Sequence, residues 1–225
     1  MSMPYYVAPE QVMKDRADYA RKGISRGRSL VGLSCADGVL LVAENPSSSL
    51  HKISEIYDRI GFAAVGKHNE FDQLRIAGIR HADLKGYSYS RNDVDAHSLA
   101  NQYAQILGQT FTHELKPLEV ELLVAEVNGT PAEDQLFHVL YDGTLIDETG
   151  WSVLGGDAEP IAGRLRSGYE TGAELPAALK LAAGALAGPD RPIASIELEV
   201  ALLRRTGPRR RFSRMTGDIL LGYLT

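Results

Sequence analysis

Leu30-Val-Gly-Leu-Ser-Cys-Ala-Asp-Gly-Val-Leu-Leu-Val-Ala43 holds two apolar runs separated by Ala36-Asp37-Gly38. Asp-Gly between apolar runs signals a tight hairpin, because both residues tolerate the left-handed backbone such turns need. The stretch predicts antiparallel strands over 30–35 and 39–43. Downstream, the polar segment 45–49 leads to a second predicted strand pair, 53–57 and 61–66. Two helical segments follow. The first, over 69–84, puts Phe71, Leu74, Gly78 and Ala82 on one face. The second, over 95–115, carries a stripe of Leu99, Tyr103, Ile106, Leu107 and Phe111.

Strands return over 120–127, 136–141, 144–147 and 151–154, with a turn at Tyr141-Asp142-Gly143. A second helix pair is marked by Ile161, Leu165, Gly168 and Tyr169, then by Leu175, Leu179, Ala182 and Leu186. Ile196, Leu198, Val200 and Leu202 alternate as a strand, which turns at Thr206-Gly207-Pro208 into a basic strand. A short helix is expected near Thr216. Upstream of the first hairpin, Pro9 opens a helix in which Met13, Ala17, Ala20 and Ile24 form a thin stripe and Gly23 suits the stop. The rest of that helix is charged, so it buries little against its own chain and is expected to pack against a neighbouring subunit.

Helices come in pairs between groups of strands instead of alternating singly with them. This disfavours a doubly wound parallel sheet. Two stacked antiparallel sheets with a helix pair over each outer face satisfy the demand for cover. The expected fold is therefore an α/β (α+β) four-layer α/β/β/α sandwich in one domain, 1–225, with a leading segment 1–8, a helix 9–23 and the sandwich over 27–225.

Composition bounds the function. The 225 residues are 44% hydrophobic and 24% charged, enough for a large core and unlike a disordered chain. A net charge of −5 disfavours general nucleic-acid binding. One cysteine, Cys35, excludes a disulfide framework within the chain and reads as a small core residue. No signal peptide and no membrane-length apolar run are visible, so a cytoplasmic setting with no membrane partner is expected.

The six histidines show no H-x-x-x-H spacing around a carboxylate and read as surface residues, with no metal and no cofactor expected. Leu154-Gly-Gly-Asp157 reads as a strand-to-helix turn with Asp157 as N-cap, because it lacks the lysine and glycine pattern of a P-loop. Arg204, Arg205, Arg209, Arg210, Arg211 and Arg214 bracket a Gly-Pro turn. They read as a solvated hairpin or a contact with an acidic partner in preference to an RNA site. Asn128-Gly129-Thr130 is read as a turn, and no G-x-S-x-G elbow exists.

Three segments together carry a family resemblance. The first is Asp18-Tyr19-Ala20-Arg21 closing the N-terminal helix, with Ser29-Leu-Val-Gly-Leu33 and Ala36-Asp-Gly-Val-Leu-Leu-Val42. The second is Asn45-Pro46 and then Leu50-His-Lys-Ile-Ser-Glu-Ile-Tyr-Asp-Arg-Ile-Gly-Phe-Ala-Ala-Val-Gly-Lys-His-Asn-Glu-Phe71. The third is Leu99-Ala-Asn-Gln-Tyr-Ala-Gln-Ile-Leu-Gly108 with Pro117-Leu-Glu-Val-Glu-Leu-Leu-Val-Ala-Glu126. The chain closely resembles the α subunit of the actinobacterial 20S proteasome, over nearly its whole length. The resemblance implies the N-terminal-nucleophile hydrolase fold and a non-catalytic subunit of a threonine-type endopeptidase complex. Heptameric outer rings of such subunits template the β rings, gate substrate entry and dock hexameric AAA ATPases through their C-terminal tails, for degradation of pupylated proteins.

Nucleophilic hydrolysis of this type needs a Thr, Ser or Cys with a free α-amino group. The strand that would begin with the nucleophile starts near Ser29, and Arg28-Ser29 replaces the Gly-Thr processing junction. The alternative, a self-processed peptidase or amidase of the same fold, would have to discard the preceding helix. By resemblance, Lys52 accepts the C-terminal carboxylate of an activator between adjacent subunits. Met1, Ser2, Met3, Pro4, Tyr5, Tyr6, Val7 and Ala8 form the gate. The Tyr-Asp-Arg of archaeal and eukaryotic relatives is absent, whereas Pro9 and Tyr19 have counterparts and are assigned to ring contact and gate support. The α–α contact is expected to use the N-terminal helix, and the α–β contact the first helix pair.

Overall fold

The structure is a computed structural model that describes residues 8–189 and 191–224. In chain order the elements are α1 (Pro9–Ile24), β1 (Leu30–Cys35), β2 (Gly38–Glu44), β3 (Ile53–Tyr57), β4 (Ile60–Gly66), α2 (His68–Ser88) and α3 (Ala96–His113). Then come β5 (Val120–Glu126), β6 (Gln135–Val139), β7 (Leu145–Glu148), β8 (Trp151–Leu154), α4 (Ala158–Gly168), α5 (Leu175–Ala187), β9 (Leu198–Arg204), β10 (Phe212–Met215) and α6 (Gly217–Leu224).

The strands form two five-stranded antiparallel sheets, ordered β10-β9-β2-β1-β8 and β3-β4-β5-β6-β7. Three apolar clusters hold the layers together. One joins the first sheet to α4, α5 and α6 through residues such as Val31, Leu40, Leu165, Leu179 and Val200. A second joins the other sheet to α2 and α3 through Phe62, Leu99, Tyr103 and Leu122. The third lies between the sheets, around Leu30, Leu41, Ile53, Leu123 and Leu203, and takes in Ala20 and Ile24 of α1. This is the expected four-layer α/β/β/α sandwich.

The hairpins follow from their turns. Gly143 has φ of 85°, a region glycine enters without steric cost, and Asp142 accepts from the Thr144 amide at 2.9 Å. Gly32 answers a different demand. A Cβ built there would lie 2.3 Å from a Leu123 methyl of the facing sheet, so any larger residue would force that side chain to move.

Several expectations are corrected. Ile196 is 87% exposed, in a short 3₁₀ turn Ser195–Glu197, and the strand begins two residues later. The Glu197 carboxylate accepts from the Ala194 amide at 3.1 Å, and this local bond competes with extension of the ladder. Asp157 occupies the N-cap position of α4 without a side-chain cap bond. The helix begun near Asn69 runs on to Ser88. Its Gly86 lets the Tyr57 ring pack against the backbone, where a Cβ would come within 2.1 Å of the hydroxyl.

The arginine hairpin is not merely solvated. Arg205 is half-buried, its guanidinium bidentate on Asp134 at 2.7 Å for both pairs, with further bonds to the carbonyls of Cys35 and Asn128. Arg210 pairs with Glu55 of β3 at 2.7 Å, and Arg214 donates to the Ile53 carbonyl of β3 at 2.6 Å, so these arginines also tie the two sheets. Among the described residues no helix is long and apolar enough to cross a membrane.

Candidate functional site

Lys52 sits at the entrance to β3, where the loop from β2 is held by buried polar side chains. Asn45 donates to the Leu50 carbonyl at 2.7 Å and to Glu199 at 2.8 Å, and its Oδ1 accepts from the Ser47 amide at 3.1 Å. Glu199, on β9, accepts from the Lys52 and Ile53 amides at 2.8 and 3.2 Å. It also meets Arg214 at 2.6 Å and His51 at 3.2 Å. One carboxylate thereby orients the whole segment.

The Lys52 Nζ donates to the carbonyls of Arg28 at 2.7 Å and Glu44 at 3.0 Å. An ammonium has three donors, so these bonds leave one. Burial pushes its pKa down to about 8, against the opposing pull of Glu44 and Glu199. Glu44 itself is held below the usual carboxylate range, chiefly by Arg191, whose guanidinium meets it at 2.6 and 2.7 Å. Arg28 adds a contact at 3.2 Å. Two carboxylates thus face Arg28, Arg191, Arg214 and Lys52. A hollow of about 180 Å³ beside it is lined by Asn45, Ser47, His51, Glu199, Arg214 and Met215.

Ser29 heads β1 but is internal, peptide-bonded to Arg28, whose carbonyl is engaged by Lys52. It is 5% exposed and its Oγ has no hydrogen-bond partner. α1 precedes it and seals the end of the inter-sheet core through Ala20 and Ile24.

Pro9 is at the first position of α1, as its ring demands. Tyr19 is half exposed, with Lys116 5.6 Å from its ring centre. A surface groove of about 620 Å³ runs beside it, lined by Val12, Arg16, Tyr19, Leu115 and Pro117 among others. Of the leading segment, Ala8 is exposed and its carbonyl accepts from Gln11 and Val12; positions 1–7 lie outside the described residues. The hydrogen bonds that Lys52 donates go to Arg28, Glu44 and Glu199, and among the described residues they link it to neither Pro9 nor Tyr19.

The sequence reading passed over Glu44, Glu199, Asn45 and Arg191. No local signal marks them, because Glu44 and Arg191, like Lys52 and Glu199, are 147 positions apart and meet only through the β2–β9 pairing. It also assigned all six histidines to the surface. His138 is instead buried between Glu121 at 3.6 Å and Glu148 at 3.9 Å. No group of three or more His, Cys, Asp or Glu side chains suited to a metal occurs among the described residues.

Residues 24–189 match the model of the family described as proteasome subunit. The proteasome subunit alpha of Acidimicrobium ferrooxidans is 62% identical over 218 residues, 97% of this chain and 94% of that protein. The chain belongs to the proteasome alpha-subunit family. The proteasome subunit alpha of Kineococcus radiotolerans is 55% identical over 234 residues, covering 100% of this chain and 98% of its own length. That of Sanguibacter keddieii is 56% identical over 225 residues, covering 98% and 88%. The two-sheet sandwich is the fold of this family, and the alpha subunit is the non-catalytic component of its threonine protease.

Proposed function

We propose that this alpha subunit forms a heptameric outer ring on proteasome β subunits, admits substrates through an axial gate and docks a hexameric AAA ATPase through the tails of that ATPase. In this reading the chain works as one domain. Residues 1–8 act as the gate, Pro9 and Tyr19 support it at the ring contact, and Lys52 receives the terminal carboxylate of an activator tail. The proteins delivered to the chamber are pupylated.

The observation that supports docking is the state of Lys52. Its ammonium is fixed by two carbonyls and retains one donor. A chain-end carboxylate is the ligand such a group recognises. A charge-assisted bond of this type contributes about 1.5–3 kcal/mol per tail, and several tails on one ring act together. Lys52→Ala is expected to leave the core particle assembled and to lower ATPase-stimulated proteolysis by about tenfold or more. In the wild type, stimulation declines as the pH rises past about 8 and the ammonium loses its proton. Stimulation of the variant at the wild-type level would overturn the docking role.

A further inference from the structure

We propose that neighbouring copies of this subunit meet edge to edge, with the β9–β10 arginine hairpin of one copy against the acidic groove beside the β7–β8 turn of the next. The inference rests on the ring reading above and assigns the surfaces that close the ring. β10 and β3 each end a sheet and share an edge, where Arg214 of β10 donates to the Ile53 carbonyl of β3 at 2.6 Å, and β8 and β7, joined by a short turn, end the sheets on the other side. The β9–β10 and β7–β8 turns emerge at the same end, because β9 ends opposite the β1–β2 turn and β8 begins opposite the last turn of β1.

The two edges carry opposite charge. On the first, Arg209 and Arg210 have side chains 73% and 72% exposed, flanked by Arg204 and Arg211. The acids beside them are Glu55 and Asp58, and Asp58 is shared with Arg91 at 2.6 Å, so the edge remains basic. On the second edge a groove of about 780 Å³ is lined by Glu133, Asp134, Asp147 and Glu148, with no lysine or arginine in its wall. Arg205 neutralises Asp134 and Glu148 faces His138, whereas Asp147 is exposed and Glu133 is exposed with its carboxylate accepting from the Thr130 amide at 2.9 Å, so neither carries a paired cation.

A ring is built from a head-to-tail contact, in which two different patches of the same chain meet at every junction. Opposite edges of a sandwich with opposite charge satisfy that geometry. They also give the exposed edge strands a covering partner. The same complementarity penalises head-to-head pairing, since like-charged edges would then meet. A basic segment of an unrelated protein could also fit the groove, but it would not require the arginine hairpin.

A charge-swap series, made in the chain co-expressed with its β subunit and read by native mass spectrometry at low salt, tests the contact. Arg209→Glu with Arg211→Glu reverses one edge, and Glu133→Lys with Asp147→Lys reverses the other. Each pair alone is expected to lower the ring fraction at least tenfold. All four in one chain restore complementarity and are expected to return it to within about threefold of wild type, which also shows that the variants fold. Raising the salt is expected to loosen wild-type rings. Normal rings in both single-edge variants, or no rescue in the combined variant, would overturn the edge contact and leave the ring reading standing. A wild-type chain that forms no ring with its β subunit would overturn the ring reading and this inference with it.

Discussion

His138 shows how a single residue converts its surroundings into a pH dependence. Its ring nitrogens face Glu121 at 3.6 Å and Glu148 at 3.9 Å, on the strands flanking its own. Burial pushes the imidazole pKa down, Glu121 and Glu148 push it up, and the net direction is up. A histidine whose native pKa is raised favours the fold while it is protonated in that state. Its contribution is fully present below the unfolded value of 6.5 and fades as the pH climbs through the raised native value. His138→Gln keeps much of the shape and removes the charge. Urea denaturation of the isolated subunit between pH 6 and 8.5 is expected to show a steeper loss of stability in the wild type than in the variant. Parallel curves would remove His138 as the source. Residue-scale chemistry of this kind was hidden in the sequence, since no spacing links 121, 138 and 148. Cys35 was legible, because its place in an apolar strand already implied burial. Lys52 is an intermediate case. The family resemblance singled it out, but its two carbonyl acceptors come from chain segments that only the fold assembles.

At the scale of elements, the turns at one end of the sandwich are held by Arg205. It leaves the β9–β10 connection, crosses beneath the β1–β2 turn to the Ala36 and Cys35 carbonyls, and ends on Asp134 in the β5–β6 connection. Asp134 also accepts from the Asn128 amide at 2.9 Å and from the Ser34 hydroxyl. Side-chain exposure is 10% for Arg205 and 1% for Asp134, so removing either partner strands a charge in a dry setting. Asp134→Ala is expected to destabilise the subunit by about 3–5 kcal/mol. Asp134→Leu combined with Arg205→Met should recover most of that loss, because no unpaired charge remains. A urea midpoint for Asp134→Ala indistinguishable from wild type would refute this. The elements themselves were largely readable in the sequence. Period-two alternation over Leu198, Val200 and Leu202 and the Asp-Gly turns are local signals, and they were obeyed. Ile196 broke the pattern because a 3₁₀ turn uses a local side-chain bond that hydropathy does not record. The internal use of the arginines escaped for the opposite reason, since their acids lie far away in the chain.

At the scale of the whole molecule, three apolar layers account for the strands and five of the helices, but α1 is different. Only Ala20 and Ile24 are buried along its 16 residues. Val12 and Met13 are 38% and 39% exposed, and Leu115 across the groove is fully exposed. A helix with so little purchase on its own chain would fray if nothing else covered it, because most helical stability in proteins comes from packing of the apolar face. α1 packs at the end of the inter-sheet core through Ala20 and Ile24 and presents this apolar groove on its outer side. The subunit that remains after subtraction of its own core is therefore a body with one charged pair of edges and one apolar groove, both left for a neighbouring copy to cover. Burying a leucine or valine side chain contributes about 1.5–3 kcal/mol. Val12→Glu combined with Leu115→Glu alters only exposed positions, so the melting temperature of the isolated subunit is expected to stay close to wild type. The same pair puts charge into the α1 groove and is expected to lower ring yield by about tenfold or more, measured by gel filtration of the co-expressed particle. Full ring yield from this variant would mean that α1 is not covered by the neighbouring subunit, and that the charged edges alone hold the ring.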